Sequence, residues 1–309
     1  MKTFLIILAG ITGVLALTEI GLRLIMGLGT PPLYTADPEI GYLLVPNQKL
    51  QRQGSLYETN QYSMRSSSLK AEVDKRILLL GDSVVNGSWW TDQSETLDRL
   101  LAQKLQDTVK SDVEVLNISA NSWSTQNELA YLQRFGLFDA STLVLVINTD
   151  DLFATEPTSL AVGTPSYPTQ NPKLALIEYF QLFIAEPKPI PELNELKQST
   201  SENDRLTQNL AAISEIKAIA DNANTEFILV LTPLLREFET GSTESELAAR
   251  TRLQELVDRE NINYLDILSA WADFPQPEFL YRDRIHPTPQ GNIKLVEAIL
   301  ERLSTVNGK

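Results

Sequence analysis

The sequence has no cysteine and only one histidine among its 309 residues. Disulfides, thiol nucleophiles and cysteine-ligated metals are therefore excluded, and one histidine cannot form a histidine-rich metal site. Basic residues are also few, because 26 Lys and Arg stand against 40 Asp and Glu for a net charge of −14. Such a charge repels nucleic acids and anionic lipids. We therefore expect no metal, no cofactor and no nucleic-acid partner, and chemistry that uses oxygen nucleophiles and carboxylates.

An uncharged, strongly apolar run at residues 4–17 follows the N-terminal Met-Lys pair, which is typical of an export signal. We interpret residues 1–28 as a signal anchor or transmembrane helix. The run of about 15 residues is shorter than the roughly 20 of a spanning helix, although Arg23 at its outer end can reach the interface. The sequence does not indicate where the charge of Glu19 lies relative to the membrane. We expect a single-pass membrane anchor with an extracytoplasmic domain; the alternative is a signal peptide cleaved after Ala16, giving a secreted or periplasmic protein.

Residues 29–75 are rich in Pro, Gly, Asn and Ser, which predicts a linker or an irregular wrap. From residue 76 to residue 309, short aliphatic runs alternate with amphipathic segments, a pattern typical of βαβ units in one α/β domain. The expected sheet is parallel, has about five strands and is covered by helices on both faces. Strands are predicted at 76–80, 113–118, 143–147, 227–231 and 264–267, and helices at 94–109, 125–135, 202–222, 243–260 and 289–303.

One segment interrupts this alternation. Residues 152–200 hold seven of the chain's 16 prolines around an apolar piece at 174–184. Long insertions after a strand are often lids or walls of a substrate site, and a surface excursion without a catalytic role is the alternative.

The residues that suggest chemistry lie at two separated places. Ser83 follows the first predicted strand at a strand-to-helix corner, where ligands bind in open α/β sheets. The only histidine, His286, precedes the last helix, with Asp283 three residues upstream. That carboxylate can accept from Nδ1–H and leave Nε2 free to take a serine proton. Taken alone, Gly-Asp-Ser is also a common turn sequence, and a lone histidine is usually a solvated side chain. Taken together, the two stretches predict a Ser83–His286–Asp283 triad.

These stretches, Gly81-Asp82-Ser83 and Asp283-Arg284-Ile285-His286, resemble the first and last signature blocks of the GDSL/SGNH hydrolases. The resemblance covers about residue 75 to the C-terminus. It implies a three-layer α/β/α sandwich with a parallel, flavodoxin-like sheet, and an activity that hydrolyses or transfers ester-linked acyl groups. The absence of a G-x-S-x-G elbow disfavours the α/β-hydrolase fold.

The second block of that family ends in a glycine whose backbone N–H helps to bind the oxyanion. Here the corresponding stretch begins at Asn117 and ends in Ser122. A serine keeps the backbone donor, so the resemblance implies an oxyanion hole formed by the backbone N–H groups of Ser83 and Ser122.

The third block departs from the family, whose Gly-x-Asn-Asp is replaced by Asn148-Thr149-Asp150-Asp151. Asp150 thus stands where a side-chain amide donates to the oxyanion. An ionised carboxylate cannot donate, and loss of one oxyanion donor costs about 10²–10³ in rate. Three explanations are open: burial keeps Asp150 protonated, Asn148 or Asn121 substitutes, or the enzyme is slow or inactive.

Further residues are candidates for substrate contact: Asp82, Asn121, Trp123 and Arg65. The stretch from Asn60 to Arg65 resembles an Asn-x-x-Gly-x-Arg motif of membrane-anchored members, and Arg65 either binds a substrate carboxylate or pairs with a surface acid. Trp89, Trp90 and Trp123 either stack on a sugar or belong to the core.

The sequence as a whole predicts a serine esterase that acts on O-acyl esters, including those of an envelope or extracellular polysaccharide. An O-acyltransferase of such a polysaccharide and a catalytically degenerate module that binds glycans or acts as a scaffold are the alternatives. The expected partners are an O-acylated glycan and the membrane that holds the N-terminal helix. The sequence does not indicate an acyl group or an oligomeric state.

Overall fold

The computed structural model describes residues 1–108 and 111–307. The strands are β1 Tyr34–Asp37, β2 Gly41–Leu44, β3 Lys49–Arg52, β4 Ser55–Glu58, β5 Lys75–Gly81, β6 Val113–Ser119, β7 Thr142–Asn148, β8 Glu226–Thr232 and β9 Asn263–Asp266. The helices are α1 Lys2–Met26, α2 Ser83–Asn86, α3 Leu97–Thr108, α4 Thr125–Phe135, α5 Ala175–Phe183, α6 Pro191–Ser199, α7 Glu202–Asn222, α8 Leu235–Glu239, α9 Glu244–Glu260, α10 Ile267–Ala270 and α11 Pro289–Asn307.

The central sheet is parallel and has the strand order β6-β5-β7-β8-β9. The chain runs from β5 outward to β6 and then returns to the other side of β5 as β7. The loops after β5 and β7 therefore diverge at a switch point, which is where open α/β sheets bind ligands. The predicted parallel, five-stranded sheet is confirmed.

Two apolar layers cover this sheet. Leu78 and Leu80 of β5 pack on one face with helices α4, α7 and α9. Ile77 and Leu79 pack on the other face with α3 and α11. The strands are buried along nearly their whole length because helices cover both faces. The predicted three-layer α/β/α arrangement is confirmed.

Helix boundaries follow local capping signals. The helices predicted at 125–135 and 202–222 coincide with α4 and α7. The helix predicted at 94–109 starts later, because Asp92 caps a short 3₁₀ turn at Gln93–Glu95 before α3 begins. Val109, its expected last residue, lies outside the described residues.

The segment at 29–75 belongs to the body of the domain. It forms two antiparallel hairpins, β1–β2 and β3–β4. The second hairpin turns at Gln53-Gly54, both with positive φ, as a two-residue hairpin turn requires. Ile40 and Leu44 are buried in the core. Residues 29–75, predicted as a linker or an irregular wrap, therefore form two regular hairpins against the domain. Their four-residue strands are too short to show a clear hydrophobic period in the sequence.

The N-terminal helix α1 is long and apolar enough to cross a membrane, with a mean hydropathy of 2.2, although a signal sequence meets the same criteria. It ends at Gly27, which adopts the left-handed conformation of a helix C-cap. Its end is held by the second hairpin, because Gln53 N–H donates to the Met26 carbonyl at 3.2 Å. Leu28 is buried directly after it.

Gly81 provides a test of the sheet packing. A Cβ at this position would lie 2.5 Å from the Val146 carbonyl oxygen on β7 and 2.5 Å from Val85 Cγ2. A backbone oxygen in a central strand cannot move aside, so Gly81→Ala is expected to destabilise the fold by about 1–3 kcal/mol. Chemical unfolding measures this. Gly21→Ala in α1, where no heavy atom lies within 4 Å, is the control; an unchanged midpoint for Gly81→Ala would contradict the close approach.

Candidate active site

Ser83 lies at the corner between β5 and the short helix α2. Asp82 is the N-cap of α2, and its Oδ1 accepts from Val84 N–H at 2.8 Å. Aspartate is among the best N-cap residues because its side chain satisfies a free backbone donor. The sequence therefore places Ser83 at the first helical position, at the carboxyl edge of the sheet.

The Asp82 carboxylate also binds the nucleophile candidate. Its Oδ2 accepts from Ser83 Oγ at 3.1 Å and from Asn148 Nδ2 at 2.9 Å. Burial raises the pKa of Asp82, and this effect is opposed by the Val84 hydrogen bond and by the charge of nearby His286. The Ser83 hydroxyl is thus oriented by a buried neighbour.

His286 and Asp283 form a close pair in the loop before α11. His286 Nδ1 lies 2.8 Å from Asp283 Oδ2 and 3.0 Å from Oδ1. Asp283 Oδ1 also accepts from the backbone N–H groups of Ile285 and His286, at 3.0 and 2.9 Å. Burial alone would raise the pKa of Asp283, but these backbone bonds and the imidazole outweigh it and lower the pKa. Asp283 is therefore ionised and holds the ring through Nδ1.

One of the two hydrogen bonds expected in the triad is thus present. Within the described part of the chain, Ser83 Oγ is hydrogen-bonded to Asp82 and not to His286. A serine side chain changes rotamer by a single χ1 rotation, and catalytic hydrogen bonds often align only when substrate is bound. The ligand-free geometry is compatible with a triad that forms on substrate binding.

Trp90 packs against the imidazole. The two rings lie edge to face, with centroids 5.2 Å apart and planes at 81°. The Arg282 guanidinium lies 5.1 Å from the Trp90 ring centroid. The histidine ring is therefore supported by an aromatic neighbour as well as by Asp283.

The second block is covered by the insertion. Ser122 adopts φ +60°, in the left-handed region that favours glycine, and its Oγ accepts from the hydroxyl of Tyr167 at 2.9 Å. The neighbouring Asn121 accepts from Tyr42 through its carbonyl at 2.5 Å and from Ser88 through Oδ1 at 3.2 Å. The predicted insertion therefore reaches the candidate oxyanion region.

The third block separates the roles of Asn148 and Asp150. Asn148 is fully buried; its Oδ1 accepts from Asp150 N–H at 2.8 Å, and its Nδ2 donates to Asp82 and Asp151. The amide is therefore occupied and is not a free oxyanion donor. The Asp150 side chain is 44% exposed and pairs with Arg284 Nη1 at 2.9 Å. With the Asn148 amide occupied, Asn121 is the substitute that remains, and a slow or inactive enzyme stays open as well.

Three of the predicted substrate contacts are buried. Asp82 is used as a helix cap. Trp123 is in the core and donates through Nε1 to the Tyr42 carbonyl at 3.0 Å. Arg65 is fully buried, donates to the carbonyls of Ser88 and Thr91, and stacks on a tyrosine ring instead of pairing with a surface acid. Asn121 is half-buried and lines a cavity.

Two cavities flank the site. The first, here called the tryptophan cavity, has a volume of about 200 Å³ and is lined by residues that include Trp89, Trp90, Asn121 and Arg52. The second, of about 460 Å³, is lined by residues that include Ser122, Asp150 and Tyr167. Residues of the insertion line both cavities, so the insertion forms a wall of the site.

Three carboxyl groups are buried beneath the nucleophile corner: Asp82, Asp151 and Glu128. Burial raises the pKa of Asp151 well above its usual value, and the charges of Asp82 and Glu128 add to this effect. Burial, with the charge of Asp82, likewise raises the pKa of Glu128. Within residues 1–108 and 111–307 neither Glu128 oxygen has a hydrogen-bond partner. Both effects favour the neutral form of Glu128.

The profile of the GDSL-like lipase/acylhydrolase family matches residues 79–292, a range that contains Ser83, Asp283 and His286. The chain belongs to the GDSL-like lipase/acylhydrolase family. The predicted membership is confirmed, and a member of this family is a hydrolase that acts on esters. A comparison with curated protein sequences gives no significant match.

Solved structures of similar proteins have low sequence identity. TesA is 15% identical, with a TM-score of 0.46 and coverage of 74% of this chain and 98% of TesA. A lipase/acylhydrolase from Enterococcus faecalis is 16% identical, with a TM-score of 0.46 and coverage of 74% and 95%. A mutant of Axe2, an acetylxylan esterase from Geobacillus stearothermophilus, is 14% identical, with a TM-score of 0.49 and coverage of 76% and 96%. The family assignment of this GDSL-like chain rests on the sequence profile.

Sequence reasoning missed three residues around this GDSL-like site. Tyr167 lies among the prolines of the insertion, where no period marks it. Glu128 is polar on an amphipathic helix and gives no sign that it faces inward. Arg284 is part of the last signature block, and its position directly after Asp283 is the sequence feature that places it near the site.

Glu128 generates a prediction about pH and stability. A carboxyl group whose pKa is raised by folding stabilises the protein below its unfolded value of about 4.3, and this contribution is lost as pH rises through the folded pKa. Glu128→Gln removes the group that must ionise. The variant is therefore expected to gain stability relative to wild type as pH rises from about 4.3.

Thermal unfolding midpoints measured across this pH range test that expectation. Glu255→Gln, at an exposed position of α9, is the control and should follow wild type. Parallel curves for wild type and Glu128→Gln would show that Glu128 does not bind an extra proton in the folded state.

Proposed function

We propose that this GDSL-like protein is a membrane-tethered serine esterase that cleaves O-acyl esters through Ser83, His286 and Asp283. The single observation that carries this proposal is the His286–Asp283 pair, with Nδ1 2.8 Å from Oδ2. An ionised carboxylate on Nδ1 fixes the tautomer in which Nε2 is unprotonated. The only histidine of the chain is thus prepared as a general base close to a serine at the carboxyl edge of the sheet.

In the proposed reaction, Ser83 Oγ leaves Asp82 and turns toward His286 Nε2. The imidazole takes the hydroxyl proton as Oγ attacks the ester carbonyl carbon, and Asp283 stabilises the resulting imidazolium. Collapse of the tetrahedral intermediate breaks the ester C–O bond, and His286 returns the proton to the leaving alkoxide. Water then attacks the acyl-enzyme with His286 again as base, which releases the carboxylic acid and restores Ser83.

The backbone N–H groups of Ser83 and Ser122 are the proposed oxyanion donors. Asn121 is the proposed side-chain donor, because its Oδ1 is occupied by Ser88 and the residue lines the tryptophan cavity. Arg284 compensates the charge of Asp150, which would otherwise repel the developing oxyanion. In this proposal the Asp150–Arg284 pair has no net charge, like the amide side chain that the family has at this position.

A sugar ester is the proposed substrate class. Trp89 and Trp90 pack edge to face with centroids 5.4 Å apart and line the tryptophan cavity together with the polar Asn121. Flat aromatic surfaces beside amide donors suit the apolar faces and hydroxyls of a pyranose ring. Trp90 also contacts His286, so a sugar on these rings lies next to the catalytic base.

Esterase assays test the catalytic assignment. Ser83→Ala and His286→Ala are each expected to abolish hydrolysis of p-nitrophenyl acetate and butyrate, and Asp283→Asn is expected to lower kcat by about 10³–10⁴, because the imidazole then adopts the wrong tautomer. Ser245→Ala, on the exposed surface of α9, is the matched control and should retain full activity. All variants should remain folded, as shown by a cooperative thermal unfolding transition.

Two results would redirect the proposal. Activity in wild type that is no greater than in Ser83→Ala, on p-nitrophenyl and acetylated-oligosaccharide substrates alike, would favour the degenerate binding module. Acyl transfer to an added sugar that exceeds release of free acid would favour the O-acyltransferase.

The compensating role of Arg284 predicts a specific pattern in kcat. Arg284→Ala leaves the Asp150 carboxylate uncompensated and is expected to lower kcat about tenfold, which corresponds to about 1.4 kcal/mol. Asp150→Asn in the Arg284→Ala background removes that charge and is expected to restore at least wild-type kcat. Arg259→Ala, at an exposed arginine of α9, controls for the loss of a surface cation. If the double variant is as slow as Arg284→Ala, charge compensation is not the role of Arg284.

A further inference from the structure

The insertion helix α5 has an inverted distribution of polarity. Its side toward the domain carries a buried carboxylate, Glu178. Its outer side, continued by Ile184, presents large apolar side chains to the exterior. These exposed residues are Ile177, Tyr179, Phe180, Phe183 and Ile184. Contiguous apolar surfaces of this kind mark interaction sites in folded proteins.

The orientation of α5 is fixed by charge. Glu178 Oε1 pairs with Arg52 Nη2 at 2.7 Å, and both side chains are almost fully buried. Glu178 Oε2 also accepts from Gly29 N–H at 2.5 Å. A buried carboxylate separated from its partner costs several kcal/mol, so α5 cannot roll to hide its apolar side.

A second set of contacts fixes the position of α5 along α1. The Glu19 carboxylate accepts from the N–H groups of Ala175 and Leu176, at 2.9 and 3.0 Å. Arg23 Nε binds the same carboxylate at 2.6 Å. Glu19 thus satisfies the free donors at the start of α5. The first turn of α5 therefore lies beside the point where the uncharged run of α1 ends.

We propose that α5 lies in the outer interface of the lipid bilayer beside α1, with its apolar side in the lipid. This inference rests on the membrane tether of the proposed function. The uncharged run of α1 is about 22 Å long, which is less than the roughly 30 Å of a hydrocarbon core. Helix α5 adds apolar and aromatic side chains at the level of Glu19, the zone that aromatic residues and interfacial helices occupy.

The lipid surface that fits α5 is zwitterionic. Helix α5 contains no Lys or Arg, and the chain carries a net charge of −14. Attraction to anionic headgroups therefore contributes nothing, and binding depends on buried apolar area. Helix α5 packs against α1, and both helices expose apolar side chains, which is the reason to assign the surface of α5 to lipid rather than to a second copy of the chain.

This placement has a consequence for substrate access. Glu178 and Leu182 on the inner side of α5 line the tryptophan cavity. The cavity then lies about one helix diameter, about 10 Å, from the lipid. Substrates bound to the membrane surface or close to it are the ones that reach it.

The cysteine-free sequence allows a direct test with the full-length chain. Phe180→Cys and, separately, Ile184→Cys are labelled with the fluorophore NBD and reconstituted into phosphatidylcholine vesicles. Leu247→Cys, at a similarly exposed apolar residue of α9, is the matched control. NBD at positions 180 and 184 is expected to emit at shorter wavelength and to be quenched by nitroxide-labelled lipid, whereas NBD at position 247 is expected to remain unquenched.

Vesicle flotation and esterase activity of the same samples separate this inference from the proposed function. Protein that floats with vesicles but shows no quenching at 180 and 184 would overturn the docking of α5 and leave the tether intact. Protein that does not float would overturn both the tether and the docking, whatever its activity. Disulfide-linked dimers of unlabelled Phe180→Cys, together with absent quenching, would assign the surface to a second copy instead.

Discussion

The carboxylate of Asp82 is buried where β5 and β7 end, and a charge in such a place must be surrounded by hydrogen-bond donors. It receives donors from the backbone of α2, from the Ser83 hydroxyl and from Asn148. Asn148 in turn caps the 3₁₀ turn at Thr149–Phe153, which carries Asp150. Asp150 then binds Arg284, which lies two residues before His286, so a chain of polar contacts links the nucleophile corner to the loop that carries the base.

The parts of the fold that the sequence predicted are those fixed by local pattern. Strands β5 to β9 are short aliphatic runs because parallel strands under helices are buried on both faces. Helix α4 starts after Ser124, which forms a capping box with Asn127, and α9 starts after Thr243, which forms one with Glu246. In the site, His286 and Asp283 are three positions apart in a single turn, so their contact depends on local sequence alone.

The parts that could not be predicted depend on partners distant in the sequence. From the sequence, Arg65 is a candidate for a substrate carboxylate or for a surface ion pair, yet it is buried where carbonyl oxygens and the Tyr57 ring replace water. Tyr167 contacts Ser122, which lies 45 positions earlier in the chain, and nothing near either residue specifies that contact. The two hairpins between α1 and β5 have four-residue strands, over which a period of two cannot be distinguished from chance.

Glu19 shows how such a distant partner changes the interpretation of a segment. In the sequence, an acid inside an apolar helix counts against a membrane span. In the structure, its carboxylate accepts from two backbone N–H groups at the start of α5 and pairs with the Arg23 guanidinium. The helix end thus stabilises the negative charge, and the carboxylate satisfies the free N–H groups of the helix end. Cleavage after Ala16 would make Glu19 the third residue of the chain, close to a new, positively charged N-terminus that competes for the same carboxylate. The pairing therefore ties the end of α1 to the start of α5.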